Sequence, residues 1–479
     1  MSIKNSRAVT GVLWTMLEKV GLYVIQLALS IIIARIIGPK EYGLVGMLTI
    51  FVALSNTLLD SGFANALIHK TNRTNVDYST AFLFNVIVGM FLYVVLCFSV
   101  SFIVDFYNEP NLGIIAYVYF LSFIVNSLSI VPTAKMTVEM RFKEQSVISI
   151  VAQLMTGCIG VTMAFLGYGV WALVVQSLGG GVLRLIMLYG FSKWRPMLCF
   201  SVASFKELFG YGSKLLCSSL INTAYNNIYS VVIGKRFSAT EVGNYEKAHQ
   251  FAALPSTILT SVIMKVLFPL MSEVKDDNAR LRDMYGKFIR VPLFALYPVL
   301  FLLSALALPL VTIVLKDAWL DAVPILQVLC FVFVFDPLTQ INLNILYVKG
   351  RTDLVLKLEF IKKPIGLLIL FATLPFGILP LCVGRVAYSA IAYLINSHYC
   401  GRMIGLSCLS QAKMWFPILC RSFVAAVICC LVTYFIDAQI WQIVVGGLSG
   451  VATYLFLAWA FKDTSFRDLL EIVKGNSPT

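Results

Sequence analysis

Long apolar runs, separated by short charged breaks, recur along the whole chain. A helix needs roughly 20 apolar residues to cross about 30 Å of hydrocarbon. By that measure the runs predict spans over 12–36, 42–67, 79–105, 111–134, 145–167 and 169–191. A second set covers 211–234, 243–271, 288–315, 322–348, 354–376 and 377–400, and two last spans cover 414–436 and 439–461. Fourteen spans of about 23 residues use ~320 residues, which leaves short loops and no separate soluble domain. The tightest connection is Leu374-Pro375-Phe376-Gly377, between the eleventh and twelfth spans.

Of the 479 residues 59% are hydrophobic and 13% are charged, about half the charge of a typical soluble protein. A soluble globular enzyme, a disordered chain, a collagen and a disulfide scaffold are excluded. The expected class is an all-α polytopic membrane protein with 14 transmembrane helices. The 11 cysteines, among them Cys158, Cys217, Cys330 and Cys420, sit mostly in apolar stretches without a CxxC pair. His69, His249 and His398 are far apart. No metal site is expected from this, and the cysteines read as small packing residues. No phosphate-cradling GxxxxGK[ST] occurs, so neither ATP hydrolysis nor a cofactor is expected.

The net charge of +13 would suggest nucleic acid in a soluble protein. Here its distribution follows the positive-inside rule. With Lys4 and Arg7 placed inside, alternate loops divide the cations 25 inside against 6 outside. Both termini are therefore expected in the cytoplasm, and no nucleic-acid partner is expected. The first span is interrupted by Glu18-Lys19 and no A-x-A site follows it, so it does not read as a cleaved signal peptide.

An internal repeat lies at an offset of 200 residues. Arg35-Ile-Ile-Gly-Pro-Lys-Glu41-Tyr-Gly43 aligns without gaps on Lys235-Arg-Phe-Ser-Ala-Thr-Glu241-Val-Gly243. Each copy joins the first two spans of a six-span half, so two six-helix lobes related by a pseudo-two-fold axis along the membrane normal are expected. The expected organisation is a lobe over 1–192, a cytoplasmic amphipathic linker over 193–210 and a lobe over 211–404. Two further helices follow over 405–461, then an amphipathic tail over 462–479. Ser204-Phe-Lys-Glu207 and Ser465-Phe-Arg-Asp468 each begin with a capping-box pattern, and both segments read as interfacial helices. Gly179-Gly180-Gly181 reads as close helix packing, and Gly446 with Gly450 as a GxxxG helix contact.

Ionisable residues within spans are costly in hydrocarbon and commonly face a cavity. Glu18 and Lys19 lie about seven residues into the first span, ~10 Å deep at 1.5 Å per residue. Asp60 and Lys265 lie at similar depth in spans two and eight, and Lys214 near the inner end of span seven. The repeat pairs these four spans, so Lys19, Lys214 and Lys265 form a candidate cationic, inward-opening cavity on helices expected to line the lobe interface. The competing reading is that each lysine snorkels to the cytoplasmic interface. Glu18 and Asp60 read either as structural ion pairs or as groups that exchange an ion or proton. Asp336-Pro337 in span ten reads either as a broken helix whose carboxylate holds a cation or as a plain kink. Asn222, Asn226 and Tyr229 share a face of span seven, a sugar-facing wall or a set of interhelical hydrogen bonds. Arg184, Arg385 and Arg421 lie towards span ends and are weaker candidates.

Several short motifs resemble one family. They are Ala8-Val-Thr-Gly-Val-Leu-Trp14, Asp60-Ser-Gly-Phe-Ala-Asn-Ala-Leu-Ile68 and Ser79-Thr-Ala-Phe82, then Arg141-Phe-Lys143 and Gly167-Tyr-Gly-Val-Trp171. Trp194-Arg-Pro196, Val266-Leu-Phe-Pro269 and Gly350-Arg-Thr-Asp353 follow. Together they resemble the polysaccharide-transporter branch of the multidrug/oligosaccharidyl-lipid/polysaccharide superfamily, specifically the colanic-acid and teichuronic-acid exporter type of Wzx flippase.

The resemblance implies a two-lobed bundle in the bacterial inner membrane that opens alternately to either side. The implied cargo is an undecaprenyl-pyrophosphate-linked oligosaccharide for surface polysaccharide, driven by H+ or Na+. Membrane lipids and polysaccharide polymerase machinery are the other implied partners. Cationic positions vary across that family, so Lys19, Lys214 and Lys265 rest on depth alone. The rivals are a drug/cation antiporter of the same superfamily, disfavoured by the excess of Lys at the inner level, and a membrane polymerase or ligase. The latter needs a sizeable outer loop, whereas the longest here, around Asp105–Asn111 and Lys316–Ala322, have only about ten residues. A non-transporting scaffold would not need buried cations on repeat-related helices.

Overall fold

The computed structural model describes residues 3–60, 63–70 and 72–463, and among these the chain folds into helices with no strand. It divides into two compact units, Met1–Gly243 and Asn244–Thr479.

The first unit begins with α1 (Ile3–Asp60), which carries the first predicted span and most of the second on either side of Gly38. Gly38 has φ 79° and ψ 178°, a conformation suited to glycine. Pro39 then starts the next helical segment, where its missing N–H costs nothing. There follow α2 (Phe63–His69), α3 (Asn75–Tyr107), α4 (Leu112–Tyr119), α5 (Ser122–Val138), α6 (Phe142–Phe165), α7 (Val170–Ser192) and α8 (Val202–Arg236). The unit closes with the first turn of α9 (Ala239–Glu273).

Thr74 caps α3 with a capping box. Its Oγ1 accepts from Asp77 N–H at 3.3 Å, while Asp77 Oδ2 accepts from Thr74 N–H at 2.8 Å.

The segment expected to be a separate interfacial linker is packed into this unit. Trp194 and Leu208 are buried with Phe63, Tyr78, Phe82 and Val131. Met197 N–H donates to Ser79 Oγ (3.1 Å) and Ser201 N–H to Thr80 Oγ1 (3.1 Å). The cap of α8 falls on Ser201, whose Oγ accepts from Ser204 N–H, three residues before the expected position. Glu207 instead accepts from Lys70 Nζ at 2.8 Å, and Lys70 also donates to Asp77 Oδ1 at 3.0 Å. The motifs around Phe63, Ser79 and Trp194 thus build one buried cluster. The matching tail motif at 465–468 lies outside the described residues.

The second unit holds the rest of α9, then α10 (Asn278–Ala305), α11 (Ala307–Leu315), α12 (Ala322–Val348), α13 (Thr352–Thr373), α14 (Ile378–Ile404) and α15 (Cys408–Tyr434). The short α16 (Gln439–Trp441) leads through a π-turn into α17 (Gly447–Ala460). The GxxxG pair is a tight contact: a Cβ on Gly446 would lie 2.4 Å from Thr433 Cγ2, and one on Gly450 2.4 Å from Leu302 Cδ2. Arg421, buried on α15, pairs with Asp463 just beyond α17 and fastens the last hairpin.

Ten helices among the described residues are long and apolar enough to cross a membrane, and one of them, Gly21–Asp60, contains parts of two predicted spans. The chain is thus a multi-pass, all-helical membrane protein. On α13, Lys362 is buried and donates to Glu359 Oε1 at 2.6 Å, with Lys363 Nζ 3.7 Å from Glu359 Oε2. That pairing lets the helix carry charge among apolar residues.

Candidate functional site

Glu18, Lys19, Lys214 and Lys265 lie on described helices, but their side chains lie outside the described set. Asp60 ends α1 and is exposed, within electrostatic reach of Arg184. Asn222 and Asn226 are exposed on α8, and Tyr229 on the same helix is buried. Nearby, Asn227 donates to Thr223 O at 2.8 Å, and the Thr57 and Thr223 hydroxyls are 2.9 Å apart, which joins α8 to α1.

Arg184, one of the weaker sequence candidates, lines a cavity of about 470 Å³ in the first unit. Four helices supply its walls. Gln26 and Ser30 come from α1, Asn126 from α5, Gln153 from α6 and Gln176 from α7. The wall is rich in amides and hydroxyls, and its described residues include no carboxylate. Tyr42 is fixed by a hydrogen bond from its hydroxyl to Ser30 O at 2.8 Å, and Asn126 donates to Asn56 Oδ1 at 2.9 Å.

Gly180 and Gly181 also line this cavity. A Cβ on Gly180 would lie 3.3 Å from Thr156 Oγ1, and one on Gly181 3.2 Å from Val125 Cγ1. The three-glycine run therefore packs α7 closely on α5 and α6 while leaving cavity wall free of side chains.

In the second unit α12 runs unbroken through Pro337, so the broken-helix form of the Asp336 site is not the one present. Asp336 Oδ2 accepts from Ser256 Oγ at 3.2 Å, with Gln340 and Arg385 also acting on the carboxylate. Arg385 bonds the Tyr245 hydroxyl and places a guanidinium nitrogen 3.0 Å from His249 Nε2. His249 also lies edge-on to Phe333, with ring centroids 5.4 Å apart. A guanidinium donating to Nε2 fixes that nitrogen as the acceptor of a neutral imidazole. Further along α12, Asn342 Oδ1 lies 2.5 Å from the hydroxyl of Tyr285 on α10, which is 2.7 Å from Gln411 Oε1, with Ser397 donating to the same Gln411 oxygen at 2.7 Å. This polar network, in which the Asn342 amide nitrogen has no partner among the described residues, reads as packing.

The sequence reading missed Gln26, Gln153, Gln176 and His249. The missed signal was helical spacing: Gln26 and Ser30 are four apart, as are Ser149 and Gln153, and Ser177, Gly181 and Arg184 recur at i, i+4 and i+7. Together the sites can hold a polar ligand by neutral hydrogen bonds in the first unit and a half-buried, arginine-balanced carboxylate in the second. No arrangement of nucleophile and base is present among these residues.

Residues 32–324 match the family model described as polysaccharide biosynthesis protein. The chain is 27% identical to the lipopolysaccharide biosynthesis protein WzxC of Escherichia coli (strain K12), over 76% of this chain and 74% of that protein. It is 25% identical to the teichuronic acid biosynthesis protein TuaB of Bacillus subtilis (strain 168), over 73% of each. Its fold is similar to that of lipid II flippase MurJ in an inward closed conformation, with a TM-score of 0.75 and 14% identity, covering 96% of this chain and 100% of that one. With well over half of its length matched, this chain belongs to the polysaccharide biosynthesis protein family of multi-pass membrane proteins.

Proposed function

We propose that this protein is a flippase that carries an undecaprenyl-pyrophosphate-linked oligosaccharide from the cytoplasmic to the outer leaflet of the bacterial inner membrane, for surface polysaccharide assembly. The observation that carries this reading is the combination of family and fold: a polysaccharide biosynthesis family match over residues 32–324, on a fold shared along 96% of the chain with a lipid II flippase. The named biosynthetic relatives support it. No covalent chemistry is needed for this task.

The physical difficulty is charge. A pyrophosphate carries roughly two negative charges, and bringing such an ion bare into hydrocarbon costs on the order of 20 kcal/mol. Fixed cations in a wet cavity replace its water, and in this reading Lys19, Lys214 and Lys265 supply them. Asn222 and Asn226 offer amides to the sugar. The polyprenyl tail stays in lipid. Glu18, Asp60 and Asp336 are the carboxylates through which an H+ or Na+ gradient drives the cycle. The loop cations favour both termini in the cytoplasm, and polymerase machinery on the opposite, outer face would receive the product.

The test is in cells. Removing the gene is expected to abolish the surface polysaccharide and leave its lipid-linked precursor on the cytoplasmic side, and expression of the chain restores both. A precursor that still reaches the outer leaflet without this chain contradicts the reading.

A further inference from the structure

The wall of the 470 Å³ cavity among α1, α5, α6 and α7 selects its occupant. Gln26, Gln153 and Gln176 make no hydrogen bond to another described residue, and each amide offers two donors and an acceptor oxygen. A second cavity of about 110 Å³ adjoins it, sharing Asn126, Ser177 and Gly181. In that second wall Ser122 is only 8% exposed, and its Oγ has no partner among the described residues.

Three classes of ligand fit poorly. A small cation finds no carboxylate among the described wall residues. An apolar molecule would drive water off the amides and leave them unsatisfied, which costs more than the contact returns. Among the described wall residues a pyrophosphate meets one guanidinium, Arg184, whose charge is already opposed by Asp60. A neutral ring bearing hydroxyls, each both donor and acceptor, matches the wall. The volume lies within the roughly 300–1,000 Å³ of small-molecule sites.

We infer that this cavity holds one or two uncharged sugar rings of the lipid-linked glycan, apart from its pyrophosphate, and that Gln153 and Gln176 read their hydroxyls. The inference rests on the flippase reading and deepens it: the charged end of the cargo and its glycan are recognised by different parts of the protein.

The test uses lipid-linked glycan from cells that express this chain, labelled by feeding tritiated glucose, together with the free glycan that mild acid releases from it. Saturable binding of the free glycan to the full chain in nanodiscs is expected. The Gln153→Leu/Gln176→Leu double variant, close in volume, should weaken it roughly twentyfold, since each lost neutral hydrogen bond is worth about fivefold. Ser122→Ala, a gentler change, should weaken it a few-fold. Thermal transitions matching the wild type establish that the variants are folded.

Equal binding by folded Gln153→Leu/Gln176→Leu and Ser122→Ala proteins, or no saturable binding of free glycan to the wild type, overturns the inference. Should the double variant not fold, Gln176→Leu and Ser122→Ala carry the same decision singly. The flippase reading fails differently, by absence of leaflet movement in the wild type. Movement of the lipid-linked glycan, with free-glycan binding unaltered by the substitutions, leaves the flippase and removes the cavity from it.

Discussion

Gly43 and Gly243 meet where the two copies of the sequence repeat cross. A Cβ on Gly43 would fall 1.6 Å from Ala239 O, and one on Gly243 would fall 1.9 Å from Pro39 O. Positions 39 and 239 are themselves repeat equivalents, so the contact is reciprocal: each copy's glycine lies on the other's backbone. This is the local signature of a two-fold relation, and it explains why the repeat keeps glycine at this point.

Gly43→Ala and Gly243→Ala should each be costly, because the obstacle is main chain that no rotamer change can clear. About 3 kcal/mol is expected, the upper end for overpacking. Thermal unfolding of the purified variants measures it. Ala at Gly190, where nothing lies within 4 Å, is the control and should melt near the wild type.

The partners of Lys70 should respond unequally. The Asp77 side chain is 2% exposed and that of Glu207 is 60% exposed. Lys70→Ala leaves the buried carboxylate with only its neutral partners Thr74 and Ser204 and should cost about 2 kcal/mol. Glu207→Gln removes an exposed pair and should cost less than about 1 kcal/mol. The hydrogen bond to Glu207, with Asp77 beside it, raises the Lys70 ammonium above its usual range. A raised cation stabilises the fold fully below its unfolded value and loses that contribution as pH climbs through the folded one. Unfolding measured through the neutral range should therefore show no loss from this group, and strongly alkaline pH should release it.

Arg421→Leu should destabilise by about 3–5 kcal/mol, since it removes the cation paired with Asp463, whose side chain is 6% exposed. Arg421→Leu with Asp463→Leu removes both charges and should recover most of the loss. A double-mutant cycle on chemical unfolding decides this. A double variant as unstable as the sum of the singles would show that the pair is not one unit.

Lys19→Ala with Lys265→Ala should abolish transport while the protein still reaches the membrane folded. Full activity in that double variant would take both lysines out of the site.

The architecture was legible because membrane helices announce themselves by run length, and among the described residues each apolar run from 12–36 to 439–461 lies mostly on helix. Gly38-Pro39 and the repeat around Glu41 and Glu241 were equally readable, being local chain chemistry. What escaped depended on partners distant in sequence. Ser204-Phe-Lys-Glu207 carries the letters of a capping box, yet Glu207 is drawn to Lys70, 137 residues away. Asp336-Pro337 resembles a helix break, but the helix persists, with Ser256 on a neighbouring helix bonding the carboxylate. The amides of Gln26, Gln153 and Gln176 are unremarkable singly, and only packing of four helices makes them one wall.

The central claim is movement of a lipid-linked glycan between leaflets. Purified protein in liposomes with a fluorescent undecaprenyl-pyrophosphate oligosaccharide, probed by a membrane-impermeant quencher with and without a pH or sodium gradient, measures it directly. The account predicts protein-dependent movement whose direction follows the gradient, at a rate lost in Lys19→Ala/Lys265→Ala. Folded protein that leaves the label in its original leaflet, with glycan from the cells that carry this chain as cargo, would contradict it.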